Sequence, residues 1–310
     1  MQADIRQIRA FNRTVTRRFG VLSGRYLGRD RPLVQSRLLF EIGAAGAPVR
    51  ELRGRLGLDS GFLSRLLRAL ERQDLVITCR AGDDGRVRIA RLTRAGRAEL
   101  RRLDALSDEL AQSMLAPLSV SQGRRLVSAM AEVDRLLRGS SVEISLTDAA
   151  SAQVRGCLGR YFEELDARFP GGFDVGIDEA ADARQFEPPQ GGMVVARLFG
   201  EAVGCGALRT LERRVGEIKR MWVRPDVRGL GVGRRLLAHL ERLARERALS
   251  VVRLDTHESL AEALQLYRSA GYREIPPYND NPYAQRWFEK RLGRTHRDAA
   301  GAGRRASLRA

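Results

Sequence analysis

The chain has 310 residues, of which 55 are Lys or Arg and 38 are Asp or Glu, so its formal net charge is +17. Its three cysteines lie far apart in the sequence, which argues against a disulfide framework and against a zinc site. No stretch approaches 18 apolar residues, and arginines interrupt the N-terminus, so we expect neither a membrane span nor a signal peptide. These features predict a cytoplasmic protein of about two domains that binds no metal.

The positive charge is concentrated in the first half of the chain. Residues 1–140 hold 27 basic and 15 acidic side chains, whereas residues 141–292 hold 23 and 22 and are almost neutral. A net charge of +12 on one half favours a polyanionic partner, because arginine side chains displace counterions from a phosphate backbone. The end of the chain, 293–310, is rich in Arg, Gly and Ala and lacks apolar periodicity, which predicts a basic disordered tail.

Apolar periodicity predicts four helices in the first part of the chain. The first two span residues 4–19 and 34–42, the third is short and ends near residue 56, and the fourth begins at about residue 60. Asp59 or Ser60 can cap the fourth helix. This helix has a buried leucine stripe, and Ser64, Arg65 and Arg68 lie on its other face. A short helix, a tight turn and a helix with such a polar face are typical of a helix-turn-helix.

A β-hairpin is predicted directly after this helix. Residues 75–78 and 87–92 have strand character, and the glycine-rich segment 82–86 between them forms the turn. A hairpin in this place is a wing, and Arg86 at its tip could enter a minor groove. The Leu-Thr-x-x-Gly sequence that follows begins a long helix.

Together, the helix 62–71, the Asp-Asp-Gly-Arg turn and the Leu-Thr-x-x-Gly segment resemble the MarR family of winged-helix regulators, over about residues 3–138. The resemblance implies that double-stranded DNA is bound by Ser64, Arg65, Arg68 and Arg86. It also implies a homodimer that recognises a palindromic site. Candidates for the dimer seam are Phe11, Val15, Leu126, Met130, Val133 and Leu137. The alternative is a solvated, arginine-faced helix in a module that contacts only proteins.

From residue 142 the pattern changes to alternating strands and helices. Strands are predicted at 142–146, 192–198, 202–209, 217–223, 251–255 and 287–290, and helices at 152–168 and 260–269. This order predicts a mixed α/β domain over residues 141–292. The chain as a whole is therefore predicted to be α/β with two domains, the first of which is mainly α.

A glycine-rich run, Arg-Gly-Leu-Gly-Val-Gly-Arg, links the strand 217–223 to an apolar-periodic helix. A strand, a glycine turn and a helix start bring backbone N–H groups together around a phosphate. The run reads Arg-x-x-Gly-x-Gly and resembles the pyrophosphate loop of GNAT acyl-CoA N-acetyltransferases. The alternative is a glycine-rich helix entry without a ligand.

The resemblance to the GNAT family implies that acetyl-CoA is bound as a cosubstrate by the backbone of this region. The implied residues are Met221, Trp222 and Val223 on the strand, and Arg228, Gly229, Leu230, Gly231, Val232, Gly233 and Arg234 in the loop. The backbone of Met221 and Val223 would contact the pantetheine arm and the thioester oxygen, on which charge develops during attack.

Two side chains are candidates for proton transfer. Tyr267, in a Tyr-x-x-x-Gly-aromatic segment typical of the family, is the candidate acid that protonates the leaving thiolate, the alternative being a core tyrosine. Glu217 lies eleven residues before Arg228, where histone-type GNAT members carry a catalytic glutamate. In a regular strand Glu217 and Met221 share a face about 13 Å apart, so a proton would travel through water. The alternative is a surface or structural carboxylate, and Glu258 and His257 are weaker candidates for the base.

The resemblance also implies that the acetyl acceptor is an amine of a small molecule or a protein. Side chains that could line its pocket are Tyr161, Glu163, Glu164, Tyr278, Asn279 and Tyr283. The sequence thus predicts a bifunctional fusion of a DNA-binding regulator and an acetyltransferase. The alternative is a regulator without turnover, in which the second domain senses acetyl-CoA or a metabolite.

Overall fold

The computed structural model describes residues 1–20, 26–29, 31–81, 87–169, 171–173 and 184–293. The chain divides into two compact units. The first comprises Met1–Val133 with Phe199–Glu201, and the second comprises Asp134–Leu198 and the described residues from Ala202 onward. The division falls within a helix, and the boundary at residue 140 stays a prediction. The predicted tail lies outside the described residues from 294 onward.

Helices and a small antiparallel sheet form the described part of the N-terminal unit. The helices are α1 (Gln2–Arg18), α2 (Leu33–Ile42), α3 (Val49–Leu56), α4 (Ser60–Arg72), α5 (Arg94–Leu115) and α6 (Val120–Ser140), the last of which continues into the second unit. The strands β1 (Ala47–Pro48), β2 (Val76–Ala81) and β3 (Val87–Leu92) are ordered β1-β3-β2. The predicted helices and hairpin strands are confirmed, while the hairpin turn lies outside the described residues.

Side-chain caps fix the starts of two helices in this unit. The carboxylate of Asp59 accepts a hydrogen bond from the N–H of Phe62 at 2.8 Å and begins α4, and the hydroxyl of Thr93 accepts from Gly96 at 2.9 Å and begins α5. Gly96 has no space for a side chain, because a Cβ there would lie 1.9 Å from the carbonyl oxygen of Leu75. These local signals explain why the start of both helices could be predicted from the sequence.

A seven-stranded mixed sheet organises the second unit. Its strands are β4 (Val142–Thr147), β5 (Gly191–Leu198), β6 (Glu201–Glu212), β7 (Val215–Val223), β8 (Val251–Thr256), β9 (Arg273–Ile275) and β10 (Arg286–Arg291), in the order β4-β5-β6-β7-β8-β10-β9. The helices are α7 (Ala152–Arg168), α8 (Val232–Glu246) and α9 (Ala261–Ser269). The predicted mixed α/β fold is confirmed.

The central core of this unit lies between the sheet and α8. Leu236, Leu237, Leu240 and Ala244 form the apolar face of α8, and all four are at most 1% exposed. Burial of a leucine side chain contributes about 1.5–3 kcal/mol, so this face fixes the helix firmly on the sheet. The start of α8, and with it the glycine-rich run, is thereby held at one end of β7.

The parallel strands β7 and β8 pair only where they begin. The register joins Val215 to Val251, Gly216 to Val252 and Glu217 to Arg253, and no further pair follows among the described residues. Beyond this point the two strands separate and leave a gap in the sheet.

No helix in the described ranges is long and apolar enough to cross a membrane.

Candidate active site

A cavity of about 560 Å³ lies where β7 and β8 separate. It is bounded by the two strands, by α7 and α9, and by the segments around residues 173, 185 and 282. Its polar lining side chains include Arg209, Lys219, Arg220, Asp255 and Tyr267. A concave site that combines apolar walls with a few convergent polar groups is the usual form of a small-molecule site.

A β-bulge in β7 shapes the floor of this cavity. The register with β6 shifts between the pairs Cys205–Trp222 and Ala207–Lys219, which leaves one extra residue on β7. Arg220 lies in this bulge with φ 58°, a conformation that is uncommon for a residue other than glycine. Because of the extra residue, the side chains that follow the bulge lie on the opposite face from the one a regular strand would give them. Met221 therefore packs in the same core as Ile218.

The bulge corrects one expectation from the sequence. A regular strand would put Glu217 and Met221 on one face, but the structure places them on opposite faces, because Met221 shares the face of Ile218. Nothing in the local sequence marks this bulge, since Arg220 is not a glycine. The expected spacing of about 13 Å along one face therefore does not describe this site.

Glu217 is completely buried and surrounded by donors. Its carboxylate lies 2.6 Å from Arg209 Nε and 3.2 Å from Lys219 Nζ, and it accepts hydrogen bonds from Tyr278 Oη at 2.9 Å and Asn279 Nδ2 at 3.3 Å. Its side chain is 0% exposed and does not line the cavity. The base role implied by the resemblance stays a prediction, and direct contact with an amine would require one of these donors to leave.

Tyr267 projects from α9 into the cavity and is 5% exposed. Its ring packs against Tyr272 and Phe288, with centroids 6.0 Å away in both cases. Burial raises the pKa of the Tyr267 phenol well above its ordinary value, and the nearby Tyr161 and Asp255 add to this effect. The phenol is therefore protonated at neutral pH and can donate a proton.

The glycine-rich loop forms a cradle of backbone donors at the start of α8. Gly229 and Gly231 have φ of 76° and 75°, which a residue with a side chain adopts only with strain. Gly231 caps α8 without a side-chain bond. In the part of the chain that the structure describes, the N–H groups of residues 229–234 have no hydrogen-bond acceptor. Such a group of donors at a helix start suits a phosphate.

The side chains of the loop have internal partners. Arg228 donates from Nε to the carbonyl of Val223 at 2.8 Å, and its guanidinium pairs with Glu164, which also accepts from Trp222 Nε1 at 2.9 Å. Burial opposes ionisation of Glu164, but the bonds from Arg228 and Trp222 outweigh it and hold the pKa of this carboxyl below its usual value. Arg234 donates to the hydroxyl of Ser269 at 2.7 Å. Backbone groups are thus the ligand-binding groups that this loop offers.

The C-terminal end of α6 contacts the same loop within the second unit. Arg135 Nη1 donates to the carbonyl of Gly229 at 3.0 Å, and Arg235 Nη1 donates to the carbonyl of Gly139 at 2.8 Å. A Cβ at Gly139 would lie 3.1 Å from Leu230 Cβ and 3.3 Å from its carbonyl oxygen. The close approach of α6 to the loop therefore depends on Gly139.

Aromatic side chains form one wall of the cavity. Phe169 packs against Phe173 and Tyr283 with ring centroids 5.8 and 5.9 Å away, and Phe173 stacks on Phe162 at 5.8 Å. His257 lies on Phe169 at 4.3 Å, and its Nδ1 accepts the N–H of Ser259 at 3.1 Å. The Nδ1 atom is thus occupied by Ser259, and the candidate role of His257 as a base stays a prediction.

The structure separates the predicted acceptor residues into three pairs. Tyr161 and Tyr283 line the cavity, whereas Glu163 and Glu164 border a shallow groove beside Arg228. Tyr278 and Asn279 bond to Glu217 behind the cavity wall. Among the described residues, no group of three or more His, Cys, Asp or Glu side chains is placed to hold a metal ion.

Sequence reasoning missed four charged residues of the cavity, which are Arg209, Lys219, Arg220 and Asp255. The alternation of Glu217, Ile218 and Lys219 in a strand was a usable signal, because charged residues at every second position of a central strand must find buried partners. Arg220 carried no such signal, since its orientation depends on the bulge.

The predicted DNA-binding face of α4 is accessible in the N-terminal unit. Arg65 and Arg68 are exposed and Ser64 is half-buried, whereas Leu63, Leu66, Leu67 and Leu70 are buried. The guanidinium of Arg65 lies 5.7 Å from the ring of Phe62. Arg86 lies outside the described residues. The role of these side chains in DNA binding stays a prediction.

Two family models match the chain. The model of the Acetyltransferase (GNAT) family matches residues 159–272, and that of the MarR family matches residues 29–87. They cover the parts of the chain that carry the cavity with its glycine-rich loop and the helix-turn-helix.

Individual proteins have sequences or structures similar to part of this chain. The chain is 34% identical over 140 residues to an IAA acetyltransferase of Azospirillum brasilense, which covers 45% of this chain and 90% of that protein. It is 38% identical over 108 residues to an N-acetyltransferase of Schizosaccharomyces pombe, covering 34% of this chain and 66% of the relative. A solved GNAT-family acetyltransferase from Staphylococcus aureus aligns over 49% of this chain and 99% of its own, with 18% identity and a TM-score of 0.43.

Proposed function

We propose, because the chain belongs to the GNAT acetyltransferase family and carries a MarR-family domain in its N-terminal part, that it binds DNA and transfers an acetyl group from acetyl-CoA to an amine. The observation that carries the enzymatic part is the cavity between β7 and β8. The unpaired edge of β7 and the protonated side chain of Tyr267 both line this cavity. The glycine-rich loop at the end of β7 completes the arrangement.

The proposed acetyl-CoA site uses backbone groups of the loop and of β7. The N–H groups of residues 229–234 would hold the pyrophosphate, assisted by the positive end of the α8 dipole. The carbonyl of Val223 already accepts from Arg228, so the pantetheine arm would pair with the strand edge nearer to the bulge. The Met221 backbone lies at this edge, where an N–H can stabilise the thioester oxygen as charge develops on it.

In the proposed reaction, the nitrogen of a neutral amine attacks the acetyl carbon, an amide bond forms, and the carbon–sulfur bond breaks. Tyr267 donates its phenolic proton to the departing CoA thiolate, the amine gives up one proton to solvent, and the phenolate regains a proton from solvent, so that no net proton is released. The phenol is protonated at neutral pH, since burial raises its pKa, so its proton is present when the thiolate leaves. Direct transfer needs no covalent enzyme intermediate.

Glu217 has a positioning role in this proposal. It fixes Arg209 and Lys219, both of which line the cavity, while its own oxygens are occupied by donors. If it also receives the proton of the amine, the proton must pass through water or through one of these donors. The pH dependence of a Glu217 variant separates the two roles.

For the N-terminal unit we propose a homodimer that places two α4 helices in successive major grooves. Every residue of α1 is at least partly exposed, and Phe11 and Met130 are 44% and 45% exposed, which leaves apolar surface for a second copy. Sedimentation equilibrium of the full chain tests this proposal. A monomer at micromolar concentration would contradict it.

The experiment that tests the enzymatic proposal is a screen of amines with labelled acetyl-CoA, using the full-length protein. We expect transfer to at least one primary amine, with release of one CoA thiol per amide formed. Tight binding of acetyl-CoA in calorimetry without transfer to any amine would contradict the enzyme and support a sensor. Footprinting on genomic fragments tests DNA binding, and the absence of a protected palindrome at moderate salt would contradict specific recognition.

A further inference from the structure

Phe169, Phe173 and Tyr283 form an aromatic wall on one side of the cavity. The ring of Phe169 packs edge-on against Phe173 at 5.8 Å and stacks on Tyr283 at 5.9 Å, and Phe173 contacts Tyr283 at 4.6 Å. Each ring thus contacts the other two, and all three line the cavity. Two of them directly follow α7 and the third lies between β9 and β10, so the wall is assembled from distant parts of the chain.

The aromatic wall is accessible from the cavity. Phe173 and Tyr283 are half-buried, and Phe169 is buried with 8% of its surface exposed. The ring of a ligand pairs favourably with such a surface, in offset or edge-on geometry at centroid distances of about 4.5–7 Å. Tyr267, the proposed acid, lines the same cavity from α9. A single bound molecule can therefore contact the aromatic wall with one end and reach the proposed reaction centre with the other.

The acidic part of the described cavity lining is already neutralised. Asp255 is the carboxylate among the described lining residues, and it pairs with Lys219 at 2.7 Å and accepts a hydrogen bond from Asn279 at 2.6 Å. A second ammonium group on an acceptor would find no unpaired carboxylate in this described lining. The cationic side chains of the lining would also repel it.

The cationic side chains of the lining have partners as well. Arg209 pairs with the buried Glu217 at 2.6 Å. The guanidinium carbon of Arg220 lies 4.7 Å from the centre of the Phe162 ring, and Arg220 has a further partner. A carboxylate on the acceptor would have to replace one of these contacts. Among the described residues, the aromatic wall is thus the feature of the cavity that is best suited to select an acceptor.

From the aromatic wall and the paired charges we infer that the acceptor is a small primary amine that carries an aromatic ring on a short apolar chain. The ring would lie on the aromatic wall, and the amine would reach the acetyl carbon in the gap between β7 and β8. The inference rests on the proposed acetyl transfer and names its acceptor class. An amide bond forms as the carbon–sulfur bond breaks, and the products are the N-acetylated amine and CoA, without net release of a proton.

The test compares four amines as acceptors with the full-length protein and acetyl-CoA. 2-Phenylethylamine carries the aromatic ring, 2-cyclohexylethylamine has an apolar ring of similar size, ethylamine has no ring, and 1,5-diaminopentane has a second charge instead. We expect kcat/KM for 2-phenylethylamine to exceed that for ethylamine and for 1,5-diaminopentane by at least about 10-fold, because burial of the ring is favourable. It should exceed that for 2-cyclohexylethylamine by about 3-fold, because only the aromatic ring gains from the geometry of ring pairs.

Variants assign this preference to the aromatic wall. Phe173→Leu and Tyr283→Leu should each lower the ratio of kcat/KM for 2-phenylethylamine to that for ethylamine by about 5-fold, since each removes one ring from the wall. The ratio is independent of the fraction of protein that is folded, because both rates fall together when part of the protein unfolds. Tyr283→Phe keeps the ring and should keep the ratio. Phe199→Leu is the matched control, because Phe199 is 45% exposed in the turn between β5 and β6 and does not line the cavity.

The outcomes separate this inference from the proposed function. A protein that acetylates ethylamine or 1,5-diaminopentane as well as 2-phenylethylamine would overturn the inference and leave acetyl transfer intact. Equal values of kcat/KM for 2-cyclohexylethylamine and 2-phenylethylamine would overturn it too, and so would an unchanged ratio in both leucine variants.

Binding measurements decide the case in which none of the four amines is acetylated. Calorimetry of the full-length protein with CoA then compares 2-phenylethylamine with ethylamine. Tighter binding of 2-phenylethylamine that is lost in Phe173→Leu and Tyr283→Leu would support the inferred class of ligand and contradict the enzyme. The absence of binding by 2-phenylethylamine would overturn the inference.

Discussion

Lys219 and Asp255 form an ion pair across the gap between β7 and β8, with 2.7 Å between Nζ and Oδ2. The same ammonium lies 3.2 Å from Glu217, so that two carboxylates share one lysine at the point where the strands separate. Asn279 joins both carboxylates from the opposite side by donating to Asp255 at 2.6 Å and to Glu217 at 3.3 Å. This network holds the polar floor of the cavity in place without a ligand.

The first prediction concerns the centre of this network. Glu217→Gln removes the buried carboxylate that pairs with Arg209, while Lys219 keeps Asp255 as its partner, and we expect the free energy of unfolding to fall by about 1.5–3 kcal/mol. Denaturant unfolding measures this loss. Glu212→Gln is the control, because Glu212 is 63% exposed and its loss should change stability by less than about 0.5 kcal/mol.

The same variant tests the role of Glu217 in catalysis. If Glu217 positions other residues, kcat falls but the acidic limb of the kcat/KM profile against pH stays where it is in the wild type. A variant with normal stability whose acidic limb disappears would identify Glu217 as the base instead.

The second prediction concerns Tyr267. Tyr267→Phe removes the proton donor and should lower kcat by about 100-fold, with little change in the KM for acetyl-CoA. Because burial raises the pKa of this phenol, its neutral form persists up to and beyond about pH 10, so the wild-type rate should show no loss from its ionisation between about pH 7 and 9. Tyr272→Phe, a buried tyrosine outside the cavity lining, should retain the wild-type rate. Equal rates for Tyr267→Phe and wild type would contradict the proposed acid.

The third prediction concerns the cradle. Gly231→Ala places a Cβ on a residue with φ 75°, which costs about 1–2 kcal/mol and shifts the N–H groups that would hold the pyrophosphate. We expect the KM for acetyl-CoA to rise about 10-fold or more. Gly156→Ala on α7 is the control, because a Cβ there meets nothing within 4 Å and alanine favours a helix. Unchanged acetyl-CoA affinity in Gly231→Ala would exclude this loop as the phosphate site.

The fourth prediction concerns α4. Arg65→Ala and Arg68→Ala should abolish footprint protection at the palindrome, and each substitution that removes a bond to a phosphate should reduce the slope of log K against log salt by about one. Arg102→Ala removes the same charge from an exposed position of α5 and serves as the control. Equal effects of all three substitutions would indicate binding by net charge alone.

Local signals in the sequence were sufficient for most of the fold. The caps Asp59 and Thr93 and the apolar face of α8 are each encoded by a short local stretch of sequence. Most ends of the helices and strands were therefore predicted to within one or two residues. The short strand β9 was missed, since three residues pairing with β10 leave no periodic pattern.

The candidate site was predictable only in part. Tyr267 and the glycine loop belong to contiguous motifs, so the sequence alone could single them out. The partners of Glu217, by contrast, include Tyr278, which is 61 residues away, and the direction of Arg220 depends on a bulge that no residue type marks. Long-range pairings and irregular backbone are properties of the assembled sheet, and for this reason they appeared only in the structure.

The fifth prediction concerns the contact between α6 and the loop. Gly139→Leu would push against Leu230, and we expect acetyl-CoA affinity to fall several-fold in calorimetry because the loop is displaced. Gly123→Ala, where a Cβ would lie 3.6 Å from a flexible leucine side chain, should bind acetyl-CoA as the wild type does. Equal affinities for Gly139→Leu and wild type would show that the loop keeps its shape without this contact.

The hydrogen bond from Arg135 to Gly229 bears on where a fragment that contains only the acetyltransferase part of the chain should begin. The family match begins at residue 159 and the sheet begins at Val142, so an excision guided by either would discard the last two turns of α6. Those turns supply Arg135 and Gly139 to the cradle, although they precede the first strand of the sheet. We therefore expect a free-standing acetyltransferase fragment to keep its full affinity for acetyl-CoA only if it begins at or before Asp134, so that Arg135 and Gly139 are retained.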